Sequence, residues 1–248
     1  MTDRRTFYIA LTLTKNIGSI RGRKLLDYFG SAVNVFHAEK SQIFDVLSIK
    51  SPKFHAEYDF ERKLKEAQDI LDQSLEEGIK VMDYHDHHYP QYLKSIPDPP
   101  LVLYYKGTIL PRDYNAISIV GTRNASPDGK SRAFLLAQTC SKKLTVISGL
   151  AQGIDTEAHR GALAGGGRTI AVLAHGLDRV YPPSNKDMVP KITENGAVIS
   201  QFPIGTKPEG RNFPQRNKII AGLALGVVVV EGGLRSGALI TARFAREY

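Results

Sequence analysis

Cysteine is almost missing from this 248-residue chain. Its one example, Cys140, excludes an internal disulfide framework and fits a reducing compartment. Cys140 falls in an apolar helical stripe with Ala133, Phe134 and Ala137, so core packing is its expected role, not nucleophilic attack. No apolar run approaches the ~20 residues that a bilayer span requires. The leading MTDRRTFYIALTLT is too short in apolar residues, and too broken by threonines, to read as a signal peptide. A cytoplasmic location with no membrane partner is therefore expected. Internal repeats and low-complexity tails are also missing.

Two nucleotide fingerprints are lacking as well. The first strand–helix turn of a dinucleotide fold would carry G-x-G-x-x-G, but Gly121-Thr122-Arg123-Asn124 offers one glycine and an arginine. Residues 232–237 (GGLRSG) lack the Lys-Ser/Thr pair of a Walker A loop. No bound NAD or ATP is expected, and no other cofactor. A metal is not expected either: His85, Asp86, His87 and His88 are adjacent, four consecutive positions cannot all face one ion, and no second cluster has zinc-like spacing. Asp155 and His159 share a helix face at i,i+4, which would suit a base and its orienter. A first-turn Asp more commonly accepts helix N-terminal amides. No catalytic residue is assigned.

What the chain does have is a basic excess and glycine. Lys and Arg number 33 against 25 Asp and Glu, a formal charge of +8. Between residues 203 and 248 the cations are Lys207, Arg211, Arg216, Lys218, Arg235, Arg243 and Arg246, against Glu209, Glu231 and Glu247. Several of them flank glycine turns, where a polyanion would need them.

With 42% hydrophobic residues the chain can bury a large core. The first ~60 residues read as short helices: 7–13, a turn at 16–19, then 21–29 with Leu25, Leu26 and Phe29 on one stripe and Gly30 as the stop. This helix–turn–helix resembles a helix-hairpin-helix or SAM-like unit, with a small packing domain as the plainer reading. Residues 54–78 read as a charged amphipathic helix closed by Gly78. Strands follow at 79–83 and 99–107, then at 117–120, 144–148, 169–173, 197–201 and 227–231. The last five alternate with helices starting near Gly129, Gly153, Asn185, Gln215 and Ser236. Val/Ile-rich strands separated by helical stretches indicate a mostly parallel sheet covered on both faces, a doubly wound α/β Rossmann-like architecture. The expected division is 1–60 for the helical domain and 61–248 for the α/β domain.

Three strand–glycine–helix turns, at 117–126, 146–155 and 227–238, would bring helix N-termini to one sheet edge, which suits an anion. Arg123 would reach a phosphate bidentately, while Ser148, Gly149 and Gly153 would let backbone approach a ligand closely. Gly232, Gly233 and Ser236 would supply the third turn. In residues 213–218 (FPQRNK) the aromatic Phe213 precedes a helix start, with Arg216, Asn217 and Lys218 in its first turn. An aromatic for stacking beside cations and helix amides is what single-stranded nucleic acid requires.

At these residues the chain resembles the DNA-processing protein A (DprA/Smf) family. The pattern runs through 120–123, 148–155 and its continuation 158–163, 169–173, Gly176-Leu177-Asp178, Tyr181-Pro182, Asn185, 213–222 (FPQRNKIIAG), 229–231 and Ser236-Gly237, with a weaker match at Tyr89-Pro90 and 99–103. The resemblance implies a SAM-like domain and an extended Rossmann fold that binds single-stranded DNA without sequence preference. It also implies a homodimer, protection of incoming DNA in natural transformation, and loading of a RecA-type recombinase. The implied DNA contacts are Arg123, Ser148, Gly149, Phe213, Arg216, Asn217 and Lys218, so that replacing Arg123 or Lys218 would weaken all DNA sequences alike. The chain departs from the family pattern at Ala174-His175, where Leu/Gly-type residues are usual, and at Lys218, where Arg is usual. Because the family continues past the equivalent of Tyr248, parts of the dimer and recombinase surfaces are expected beyond it. The competing reading is a Rossmann-like nucleotide phosphoribohydrolase, motivated by Glu231-Gly232-Gly233, although these residues lack that family's Pro-Gly-Gly-x-Gly-Thr arrangement.

Overall fold

The structure, a computed structural model, describes residues 2–49, 59–233 and 236–248. It packs as two compact units, one of residues 1–89 with 97–103, the other of 90–96 with 104–248. The division does not fall at residue 60, because the long helix after it packs on the first helix of the chain.

In the first unit, α1 (Arg4–Leu13) starts at Asp3, whose carboxylate accepts the Arg5 amide at 2.8 Å. Next, α2 (Ser19–Phe29) ends at Gly30, which is left-handed at φ 79°. The expected tight turn before α2 is present, with Asn16 at φ 64°. Helices α3 (Ala32–His37), α4 (Lys40–Leu47) and α5 (Phe60–Glu76) complete the bundle. Helix α5 begins at an Asp59 cap that accepts the Arg62 amide at 3.1 Å, so the earlier start read at 54 lies outside the described residues. Strand β1 (Lys80–Asp83) leads out of the bundle, and its buried Asp83 pairs with Arg4 at 2.8 Å.

The second unit holds α6 (Gln91–Ser95) and most of β2 (Val102–Gly107). The regular alternation then begins: β3 (Ala116–Val120), α7 (Pro127–Cys140), β4 (Thr145–Ser148), α8 (Ile154–Ala164) and β5 (Thr169–Leu173). After it come α9 (Met188–Glu194), β6 (Gly196–Ser200), α10 (Asn212–Gly222), β7 (Val227–Val229) and α11 (Gly237–Glu247). All seven expected strands are present, in the order β1-β2-β6-β5-β4-β3-β7. Neighbours from β6 to β7 run parallel, and β2 lies antiparallel to β6 with Tyr104 opposite Ser200. Every residue of β4, β5 and β6 is buried, as expected of strands covered on both faces.

The tightest layer lies where α7 and α8 cover β3 and β4, around Ile119, Ala133, Ala137, Val146, Ile154, Ala158 and Ala162. Small residues let these helices approach closely, and a Cβ on Gly161 would overlap the Phe134 carbonyl. Cys140 packs against this cluster, in the role its stripe suggested. At the opposite end of the strands from the glycine turns, buried Arg168 grips buried Asp113 through two 2.7 Å bonds. The Thr145 hydroxyl donates to the same carboxylate, also at 2.7 Å, so the ion pair is well satisfied. The chain steps from β3 through β6 to one side and then returns to place β7 on the other flank of β3. That reversal makes the carboxyl end of β3 and β7 a topological switch point, where open α/β sheets hold ligands.

Candidate nucleic-acid interface

At the switch point lies a cavity of about 330 Å³. Its floor is the turn after β3, Gly121 to Asn124, together with Ala151 and Asp155. One wall is a stripe of α10, namely Phe213, Arg216, Asn217 and Ile220, spaced i, i+3, i+4, i+7 as one helix face requires. The opposite rim is the start of α11, with Ser236, Gly237, Ala238 and Thr241. A second recess of about 30 Å³ adjoins it, lined by Gly149, Gln152, Leu173, Ala174, His175, Tyr181 and Pro182. The two share Arg123, Ala151, Phe213 and Arg216.

The floor is main chain laid on main chain. Ile154 donates its amide to the Thr122 carbonyl at 3.3 Å, and Thr122 donates to the Glu231 carbonyl at 2.7 Å. Gly153 sits at φ 80°, and a Cβ on it would overlap the Thr122 carbonyl; one on Gly121 would overlap Ile154. Gly149 likewise leaves room for the Arg216 guanidinium. These glycines therefore make room for contacts within the protein.

Arg216 is the most constrained group here. It is 5% exposed, donating to the carbonyls of Gly149 and Val172 through one terminal nitrogen and to Asn217 Oδ1 through Nε at 3.0 Å. Burial pushes its pKa down to about 10, with Asp155 pulling the other way, so it remains a cation at neutral pH. Asp155 is buried beneath it and accepts the Gly149 amide at 3.2 Å. Burial raises its pKa above the usual carboxylate value, opposed by the Arg216 charge and by the amides of Ala151, Gly121 and Gly149. Its amide partners thus lie in the turns after β3 and β4, not in its own helix. Asn217 completes the framework by donating to the Gly237 carbonyl at 3.1 Å, which ties α10 to α11.

Arg123 differs from Arg216 in exposure and in bonding. It is exposed, and among the described residues it makes no hydrogen bond or ion pair. Its guanidinium carbon lies 5.0 Å from the centre of the half-buried Phe213 ring. Tyr181, 41% exposed, meets the same ring edge-on at 6.3 Å. Cation and aromatic faces therefore meet at the mouth shared by the two cavities.

The structure redistributes the expected site residues. It brings Arg123, Phe213, Arg216, Asn217 and Ser236 to the larger cavity and Gly149 to the smaller. Ser148, Gly153, Lys218, Gly232 and Gly233 line neither. Ser148 is buried in the sheet, donating to the Ile119 carbonyl at 2.6 Å. Lys218 is buried and, two residues on from Arg216, lies about 200° round the helix from the cavity face. Helix α10 also starts at Asn212, so Phe213 stands inside the first turn instead of before it. Two of the cations near the turns are engaged within the protein, Arg216 internally and Arg211 with Glu209 at 2.8 Å, while Arg235 lies outside the described residues, as does Leu234. The helix read near Asn185 begins at Met188, and Asn185 instead donates to Leu150 O and Thr156 Oγ1, both at 2.9 Å, holding the turn after β4. Sequence reasoning gave Tyr181, His175 and Ile220 no site role of their own; only the i+7 spacing from Phe213 to Ile220 was there to be read.

Two competing chemistries can be placed. Glu231 accepts from Ser126, at 3.1 Å from its amide and 2.9 Å from its hydroxyl, and lines neither cavity. His159 is fully buried against Thr169 at 2.7 Å, and burial pushes its pKa down to about 3. Of the four-residue His/Asp run, His85 faces Tyr8 at 2.6 Å. Asp86, His87 and His88 bring ligand atoms within 4.8 Å of one another, so three of the four positions converge while His85 does not.

Residues 80–248 match the family described as DNA recombination-mediator protein A. The chain belongs to that family. It is 35% identical to Protein Smf of Synechocystis, across 98% of this chain and 62% of that protein. The chain thus spans about three-fifths of the length of such relatives. DNA processing protein A of Streptococcus pneumoniae superposes with a TM-score of 0.80 at 32% identity, covering 98% of this chain and 83% of that one. A Helicobacter pylori DNA processing protein A, solved for its single-stranded DNA binding mode, gives a TM-score of 0.62 at 28% identity, over 68% of this chain and 77% of that one. Among the described residues no helix is long and apolar enough to cross a membrane.

Proposed function

We propose that the chain binds single-stranded DNA without sequence preference, along the switch-point cavity and its rim. The observation that carries this reading is Arg123 lying over Phe213 at the shared mouth of two cavities, an exposed cation and an aromatic face together. Bases stack on such a face whatever their identity, and a guanidinium beside it takes the phosphate. The single-stranded DNA bound by the H. pylori relative supports the same ligand class. Protection of incoming DNA in transformation, a homodimer and loading of a RecA-type recombinase complete the proposal, on the strength of family membership. The phosphoribohydrolase reading loses its motive, since Glu231 is occupied at the start of α7 and faces neither cavity.

The test is fluorescence anisotropy of labelled oligo-dT at two salt concentrations. Neutralising about three phosphates predicts affinity falling at least about tenfold across a fourfold rise in salt. Arg123→Ala is expected to weaken oligo-dT and mixed-sequence oligonucleotides alike and to lower the salt slope by about one. Salt-insensitive binding, or binding to duplex alone, would refute the proposal.

A further inference from the structure

His175 follows β5 and lines the smaller recess beside Tyr181, Phe213 and Arg216. It is 1% exposed. Its Nδ1 lies 2.9 Å from the Gly176 carbonyl, an atom that can only accept, so Nδ1 carries the ring proton. Burial lowers the pKa below the usual imidazole value, more than the nearby carbonyls of Gly176 and Tyr181 raise it, and the Arg216 charge adds to the lowering. The ring is therefore neutral at pH 7, and Nε2 is a bare acceptor. That atom is buried and, among the described residues, has no hydrogen-bond partner. An acceptor left in this state costs free energy that a ligand donor would recover. The recess of about 30 Å³ admits one water-sized group, the edge of a ring but not the ring itself. The ring would lie at the mouth beside half-buried Phe213, over whose ring Arg123 and Arg216 lie at 5.0 and 5.9 Å and supply only donors.

Resting on the single-stranded DNA reading, we propose that His175 is a specificity-determining residue, whose Nε2 accepts an N–H from the edge of a nucleobase stacked at Phe213. Every unmodified base has such an N–H, so the contact distinguishes bases from the bare sugar–phosphate chain without choosing among sequences. It also distinguishes thymine from its N3-methylated form, which has lost its one edge N–H.

The experiment compares oligo-dT with the same oligonucleotide built from N3-methylthymine, whose edge N–H is gone. Wild type is expected to bind oligo-dT about fivefold more tightly, the worth of one net hydrogen bond to a buried acceptor. His175→Leu is expected to reduce that preference to within about twofold while keeping the steep salt dependence. In parallel, the 15N resonance of His175 Nε2 in the wild-type protein is expected to shift with oligo-dT and to stay put with the methylated oligonucleotide, a readout that needs no variant to fold. Equal binding of the two oligonucleotides by wild type, a preference retained in His175→Leu, or an unmoved Nε2 resonance would each overturn the proposal. Failure of wild type to bind any oligonucleotide would instead remove the underlying single-stranded DNA reading.

Discussion

Replacing Arg216 by methionine separates the part of the site that holds the protein together from the part that meets a ligand. Methionine keeps most of the side-chain volume but removes the guanidinium. The carbonyls of Gly149 and Val172 then lose a buried donor, and Asn217 Oδ1 loses its bond from Nε. Each stranded buried acceptor costs about 1–3 kcal/mol, and buried Asp155 loses the opposing charge that favours its carboxylate. These effects overlap, because the Gly149 turn both accepts from the guanidinium and donates to Asp155, so a loss of about 4 kcal/mol is expected. Against a domain stability of about 5–15 kcal/mol, that is a large fraction. Arg123→Ala touches no hydrogen bond or ion pair among the described residues, and its stability change should stay within about 0.5 kcal/mol. Urea unfolding of both variants reads this contrast. The pH dependence supplies a second signature. The native pKa of Asp155 is already above its unfolded value, so the native state binds that proton more tightly, and stability falls as pH rises through the raised pKa. Without Arg216 that pKa rises further, so the deficit of the methionine variant should shrink as pH is lowered toward the unfolded carboxylate range. An Arg216→Met protein with the wild-type urea midpoint would refute this account of the buried framework.

His159 titrates in the unfolded chain at its ordinary value but is held neutral down to about pH 3 in the native state. The unfolded state therefore binds more protons between those values, and stability is lost as pH falls; from pH 6.5 to 4 the loss is about 3 kcal/mol. The stability difference between wild type and His159→Gln, followed over that range, should carry this slope, and a flat difference would count against it. Gly153→Ala combines a left-handed φ with overlap onto the Thr122 carbonyl and should cost at least about 2 kcal/mol in chemical denaturation. Lys218→Met should leave the affinity for oligo-dT within about twofold of wild type, because Lys218 lies on the face of α10 away from the cavity. A loss as large as that of Arg123→Ala would show that the DNA path runs elsewhere.

The strands were legible because burial on both faces demands short Val/Ile-rich runs, and the turn-forming glycines between them were equally plain. Arg123 and Phe213 were legible for a local reason: each stands beside a strand end or helix start, where side chains reach the sheet edge. The orientation of α10 was not. FPQRNK reads as a cluster of contacts, but 100° per residue sends Arg216 and Lys218 to different sides, and only packing decides which side meets the cavity. The role of the glycines was not legible either, since a residue without a side chain looks the same whether a ligand or another stretch of backbone occupies the space. Arg216 shows the same limit for charge: an arginine near a phosphate-suited turn was read as a contact, and two carbonyls had already claimed it.

The peptide-on-peptide floor beneath the larger cavity has an implication for how such a site can diversify. Side-chain replacement alters what a surface displays, yet the footing formed by Gly121, Thr122 and Gly153 displays almost nothing that could be exchanged. Depth and outline are thereby held constant, and novelty is confined to the flanks: residue 175, residue 181 and Phe213 on α10. Directed evolution of altered base preference should accordingly accumulate changes on those flanks, while libraries randomising the footing return mostly unfolded protein.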